Sequence, residues 1–155
     1  MRDEIEQVPG LLFFDHVAVS VKPGELESQV AVYKALGFKE LHREDVLGCD
    51  QVREVLLQVG DGPNLIQLLE PLTPESPVAK QLEKTGGRGG LAHIAFRVKD
   101  IQKAFDYLKQ KGFNIVDQAP RKGSRRTTVF FVHPKTTETA ALGYLFEVVQ
   151  EGSDV

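Results

Sequence analysis

The sequence carries one strand pattern twice. Residues 14–21, FDHVAVSV, alternate so that His16, Ala18 and Ser20 share one face and Val17, Val19 and Val21 the other, the mark of a half-buried strand. Beginning at residue 91, LAHIAFRV repeats that layout, with His93 following His16 by 77 residues. Here His93, Ala95 and Arg97 face one way and Ile94, Phe96 and Val98 the other. Each strand leads into a predicted helix, over 25–36 closed by Gly37-Phe38 and over 100–111 closed by Gly112-Phe113, because glycine just past a helix end accepts the left-handed conformation. Asp100 stands where a side chain caps the second helix, and Pro23 in the entry turn of the first. Strand-like runs at 39–43, 52–59 and 65–69 complete the first half, and runs at 114–118, 127–132 and 144–149 the second. Each half therefore reads βαβββ. The intervening TPESPVAKQLEKTGGRGG predicts a short helix near 78–84 and a glycine-rich approach to the second repeat.

A sheet with one helix leaves a face bare, and two copies can cover each other's exposed faces. The expected fold is α+β: tandem βαβββ modules over 10–72 and 90–151, joined by a connector at 73–89. They are expected to form a cleft-bearing curved mixed sheet with helices on the outer face. With 155 residues, 41% of them hydrophobic, the chain has material for one domain, taken as 10–151.

Polar side chains interrupt the apolar strands at matching points. Gln67 lies between Leu65 and Leu69 in NLIQLLE, and Glu147 between Leu145 and Val149 in YLFEVVQ. A buried glutamate without a partner is costly, and the same holds less strongly for glutamine. His16 and His93 pose the same question on the first strand of each half. The repeat register relates His16 to His93 and Gln67 to Glu147, so His16, Gln67, His93 and Glu147 are the candidate metal ligands. Two imidazoles, an amide oxygen and a carboxylate suit Zn²⁺, Co²⁺, Mn²⁺ or Ni²⁺ with positions open for water or substrate, whereas the lack of thiolates disfavours Cu(I) and iron–sulfur clusters. His42 and His133 lack repeat partners and stay outside this set.

A net charge of -3 and a pI near 5.8 give no electrostatic case for nucleic acid. The polar, acidic start MRDEIEQVPG is unlike a signal peptide and no apolar run approaches a membrane span, so a cytoplasmic protein is expected. The one cysteine, Cys49, has no internal partner and reads as an incidental loop thiol.

The stretches DHVAVSV, LLEPLTPESPVAKQLEK, GLAHIAFRVKDI, HPK and YLFEVV together resemble the methylmalonyl-CoA epimerase family of the vicinal oxygen chelate (glyoxalase/bleomycin resistance/dioxygenase) superfamily, over roughly 14–150. The resemblance implies paired βαβββ modules around a metal, with the ligand pattern His, Gln, His, Glu falling on His16, Gln67, His93 and Glu147. It implies an isomerase acting on an acyl-CoA, with a homodimer as a candidate assembly. Epimerisation requires loss of a proton from the carbon between thioester and carboxylate, and a chelating cation would stabilise the resulting enolate. Glu147 is nominated as one base and Asp50 as the other, with Glu44 as the fallback. Two departures stand out. Ala92 precedes His93 where the family usually has a second histidine, and Leu47-Gly48-Cys49-Asp50-Gln51-Val52 stands where the family has approximately Pro-Glu-Gln-Gly-Val. Arg121, Lys122, Arg125 and Arg126, with Lys135, are candidate cations for CoA phosphates or simply a solvated tip; Arg97 is expected to pair with a carboxylate in the cleft or a neighbouring acid. A glyoxalase-like lyase, an oxygenase and a non-catalytic metal- or acyl-CoA-binding module are the competing functions on this scaffold.

Overall fold

The computed structural model describes residues 7–151; the first six residues of the polar N-terminal stretch lie outside the described residues. The strands are β1 (Leu11–Ser20), β2 (Lys39–Val46), β3 (Val52–Gln58), β4 (Leu65–Pro71), β5 (Gly90–Val98), β6 (Arg121–Lys122), β7 (Thr128–Val132) and β8 (Leu145–Gln150). The helices are α1 (Leu26–Ala35) after β1, α2 (Pro77–Lys84) after β4 and α3 (Ile101–Gln110) after β5. This is the βαβββ, connector helix, βαβββ order that the repeat predicts. Contacts divide the chain into two compact units, one of residues 15–94 and one of residues 7–14 and 95–151, so the division falls inside β1 and β5.

In the 15–94 unit the strand order is β2-β3-β4-β1-β5. β1 runs parallel to β4, while β2/β3 and β3/β4 are antiparallel. Helix α1 turns Leu26, Val30 and Tyr33 inward at helical spacing and covers Val19, Val55, Leu57, Ile66 and Leu68. The opposite face carries polar residues in a continuous register: Ala18 pairs with Gln67, Gln67 with Leu56, Glu54 with Leu69 and Glu44 with Glu54. Directly paired residues share a face and alternate residues return to it, so His16, Gln67, Glu54, Glu44 and His42 all project to the side that α1 leaves open. The connector helix α2 departs from the expected arrangement, because it packs on this polar side. Its Val78 and Leu82, four residues apart, sit against Ala18, Val52, Leu69 and Ala92 at one end of the face. Pro77 starts α2 and the Ser76 side chain accepts from the Val78 amide, a first-turn cap in a fully buried position.

In the other unit the order is β5-β8-β7-β6. Helix α3 presents Ile101, Ala104, Phe105 and Leu108 to Phe130, Val132, Phe146 and Val148. The Phe105 and Phe130 rings meet edge to face, 5.2 Å apart at 88°. Asp100 caps α3 by accepting from the Lys103 amide, in agreement with the sequence expectation. The face away from α3 holds Ala95, Val129, Phe131 and Val149, and register places Glu147 opposite Phe131 on it. Residues 114–118 do not form the expected strand: only Ile115 bridges to Val132. Two residues later the Asp117 carboxylate takes the Phe131 amide that a ladder would use, and it also accepts from Arg121 Nε at 2.9 Å. The ladder resumes only as the two-residue β6.

Candidate metal and acid–base site

His16 and His93 meet in the 15–94 unit. Their Nε2 atoms are 3.1 Å apart, with ring centroids 5.2 Å apart at 71°, and both residues are buried. Asp15, completely buried, holds His16 from behind: its Oδ2 lies 2.7 Å from Nδ1. A carboxylate only accepts, so His16 Nδ1 donates to it, and Nε2 is the ring nitrogen that faces His93 Nε2. Burial, with the neighbouring His16 ring second, holds the His93 imidazole well below its ordinary range. His93 is therefore neutral at pH 7, the state a metal ligand requires.

Gln67 is buried on the same side of the sheet, and its Nε2 donates to the fully buried Glu54 Oε1 at 2.6 Å. Among the described residues its Oε1 is a buried acceptor with no hydrogen-bond partner. Such an orphan costs roughly 1–3 kcal/mol unless something electropositive meets it. Glu147 is buried in β8 of the other unit. Within the 15–94 unit, two imidazole nitrogens and an orphaned amide oxygen are donors that suit a divalent first-row ion. His16, Gln67 and His93, all of the 15–94 unit, could hold such an ion.

The proposed second base is placed differently. Asp50 lies half-buried in the 47–51 turn between β2 and β3, which is tied down along its length. Ser76 Oγ donates to the Asp50 carbonyl at 2.8 Å, the Leu72 amide donates to the Gln51 carbonyl at 2.8 Å, and Thr73 Oγ1 donates to the Gln51 side chain. Gln51 holds a left-handed φ of 48°, unusual for a residue other than glycine and found where context over-determines the backbone. Cys49 in the same turn is exposed. The fallback Glu44 accepts from the His42 ring, Nε2 to Oε1 2.7 Å.

The basic candidates divide. Arg121 is occupied by Asp117 and lies over the Phe131 ring, its guanidinium carbon 5.3 Å from the centroid. Arg125 and Arg126 both have left-handed φ, 53° and 58°, in the short turn before β7. Arg97 pairs with the neighbouring acid Glu151 at 3.5 Å and stacks over Phe13 at 5.3 Å. His133 accepts from the Lys135 amide through Nδ1 at 3.0 Å, so it shapes the HPK turn. Sequence reasoning missed Asp15 and Glu54. A signal existed for both: an acid next to His16, and an acid in the apolar run VREVLLQ on the Gln67 side of the pleat.

This fold, duplicated around strand histidines, defines a class: the chain belongs to the glyoxalase/bleomycin resistance protein/dioxygenase superfamily, whose model matches residues 15–131. Within that class its relatives include methylmalonyl-CoA epimerases. An ethylmalonyl-CoA/methylmalonyl-CoA epimerase from Cereibacter sphaeroides is 34% identical over 123 residues, 78% of this chain and 87% of that one. The crystal structure of methylmalonyl-CoA epimerase from Mycobacterium tuberculosis superposes with a TM-score of 0.83 at 29% identity, covering 96% of this chain and 94% of that one. A Streptomyces coelicolor methylmalonyl-CoA epimerase variant in complex with 2-nitronate-propionyl-CoA gives 0.81 at 32% identity, covering 92% and 99%. Among the described residues no helix is long and apolar enough to cross a membrane.

Proposed function

We propose that the chain is a divalent-metal-dependent epimerase that interconverts the epimers of methylmalonyl-CoA, with His16, Gln67, His93 and Glu147 as ligands and one domain over 10–151 as the working unit. The observation that carries this reading is the apposition of two buried histidines, one backed by Asp15, in a chain whose relatives carry the epimerase name. When bound, a Co²⁺, Zn²⁺, Mn²⁺ or Ni²⁺ ion would supply Lewis acidity to the thioester and carboxylate oxygens, where negative charge builds as the α-proton leaves.

The chain's own residues supply the rest. With a divalent ion bound, three neutral ligands and one carboxylate would leave the site net positive, which favours the acyl group's carboxylate and the enolate derived from it. Asp15 keeps the His16 proton on Nδ1 and so keeps Nε2 directed outward. Asp50 takes the α-proton on one face and Glu147 serves the other face. The turn that carries Asp50 is fixed to the start of α2 by Ser76. The acyl-CoA phosphates are assigned to Lys122, Arg125, Arg126 and Lys135. A cytoplasmic homodimer completes the reading.

The decisive experiment incubates the metal-loaded protein with one epimer in D₂O and follows the α-proton by NMR. Exchange with racemisation is expected with at least one of the four ions. No exchange with any of them refutes the epimerase. Thioester formation from the methylglyoxal–glutathione adduct would point instead to a lyase, and tight acyl-CoA binding without exchange to a binding module.

A further inference from the structure

One side chain of the connector helix reaches both histidine strands. Gln81, half-buried on α2, donates from Nε2 to the Leu91 carbonyl of β5 at 2.7 Å and accepts at Oε1 from Ser20 Oγ of β1 at 2.7 Å. A carbonyl only accepts, so Leu91 takes the NH₂ end of the amide and commits the oxygen to the Ser20 hydroxyl. β1 and β5 are neighbours in the sheet, and they approach closely at the same place: a Cβ on Gly89 would lie 2.5 Å from the Ser20 carbonyl oxygen. Ser20 follows His16 by four residues and Gly89 precedes His93 by four. The Ser20–Gly89 contact and the His16–His93 contact thus lie at equal offsets in opposite chain directions, and they belong to one pairing of β1 with β5.

The entry to β5 offers little packing of its own to hold that pairing. Residues 86–90 are four glycines and an exposed Arg88, Leu91 is 45% exposed, and a crevice of about 130 Å³ lies beside Gln81, lined also by Thr85, Arg88 and Gly90. Glycine-rich backbone specifies register weakly, and a slip of one residue turns every following side chain to the other face of the sheet. We propose that Gln81 is a positioning residue for the His16–His93 pair, a proposal that rests on the metal-site reading. Its carboxamide ties the start of β5 to the end of β1, and with the Ser20–Gly89 approach it sets the register and separation of the two strands. The 3.1 Å spacing of the two Nε2 atoms follows from that register. The device belongs to neither repeat: the connector sets how the first strand of one half meets the first strand of the other.

The test uses the full chain, stripped with chelator and titrated with Co²⁺ alone, read by calorimetry and by the visible ligand-field bands, with urea unfolding of the unloaded protein measured in parallel. Gln81→Leu is expected to weaken Co²⁺ by about tenfold, the lower end of what loss of an outer support of the ligands costs, and to shift the bands. Ser20→Ala is expected to do the same, and the double variant to lose little more than either single one, because the two side chains act as one link. Ser20→Thr, which keeps the hydroxyl, is expected to retain the wild-type affinity and spectrum. A role in stability alone would lower the urea midpoint of Gln81→Leu and leave its affinity and bands unmoved, and that result overturns the proposal while leaving the metal site standing. Should Gln81→Leu not fold, Ser20→Ala against Ser20→Thr carries the comparison, and wild-type affinity and bands in Ser20→Ala overturn the proposal. A wild-type chain that binds no Co²⁺ removes the metal site and the proposal together.

Discussion

Asp15→Ala isolates what holds His16 in its working tautomer. Asp15 and His16 are both buried and their contact is 2.7 Å, so the pair behaves as a charge-assisted hydrogen bond rather than a screened surface ion pair. Truncation strands a buried Nδ1–H, at a cost of about 1–3 kcal/mol. The imidazole escapes part of that cost by moving its proton to Nε2, the nitrogen 3.1 Å from His93, which removes the lone pair a cation needs. At about 1.4 kcal/mol per decade the expected loss is roughly 10–100-fold in Co²⁺ or Zn²⁺ affinity. Asp15→Asn keeps an acceptor but forfeits the charge, a difference of about 1–1.5 kcal/mol between charged and neutral bonds, hence roughly tenfold. Two measurements are needed: calorimetric ion affinity, and imidazole ¹⁵N NMR of the unloaded protein, where His16 should change from Nδ1-protonated to a tautomeric mixture. Wild-type affinity together with an unchanged His16 spectrum in Asp15→Ala would refute the reasoning.

Asp50→Asn should lower deuterium exchange by about 10²–10⁴-fold and leave Co²⁺ affinity within twofold, the signature of a lost base; unchanged exchange moves the assignment to Glu44. Ser76→Ala removes the α2 cap and should cost about 1 kcal/mol in urea unfolding. Because the same hydroxyl holds the Asp50 carbonyl, exchange should fall as well, and normal turnover would disconnect this anchor from catalysis. His93 binds its proton less readily folded than unfolded, since its folded pKa lies well below 6.5. The unfolded chain then holds more protons below about pH 6.5, so stability of the ion-free protein should decline as pH falls, by up to about 1.4 kcal/mol per pH unit, until the folded group also titrates. His93→Gln should flatten that slope in urea titrations between pH 7.5 and 5; an unaltered slope would place the proton elsewhere.

The repeat was legible because its signals are local. Alternation gave β1 and β5, and the α3 cap Asp100 and the terminal glycines gave the helix limits to within a residue or two. What escaped depends on groups meeting across strands. Residues 114–118 have strand composition, yet the Asp117 side chain takes the backbone amide of Phe131, and nothing local announces that partner. The side of the sheet chosen by α2 follows from where Val78 and Leu82 find apolar neighbours, again a matter of packing. The four ligand candidates were visible as polar interruptions with repeat partners. Asp15 and Glu54 had only a local signal, because neither has an acidic counterpart in the other half: Ala92 precedes His93, and the corresponding strand reads TVFFV. Duplication reveals what both copies keep and hides what one copy alone carries.

The division of the chain inside β1 and β5 bears on how such a protein can arise and be taken apart. Fusion of two copies of a gene would place the seam in the connector, yet the compact bodies do not follow that seam. Each takes part of β1 and part of β5. A polypeptide ending in the connector would lack the 90–94 segment that completes one body and nearly all of the other. Neither half-gene product has a complete body of its own, so co-expressed halves should be recovered together or not at all.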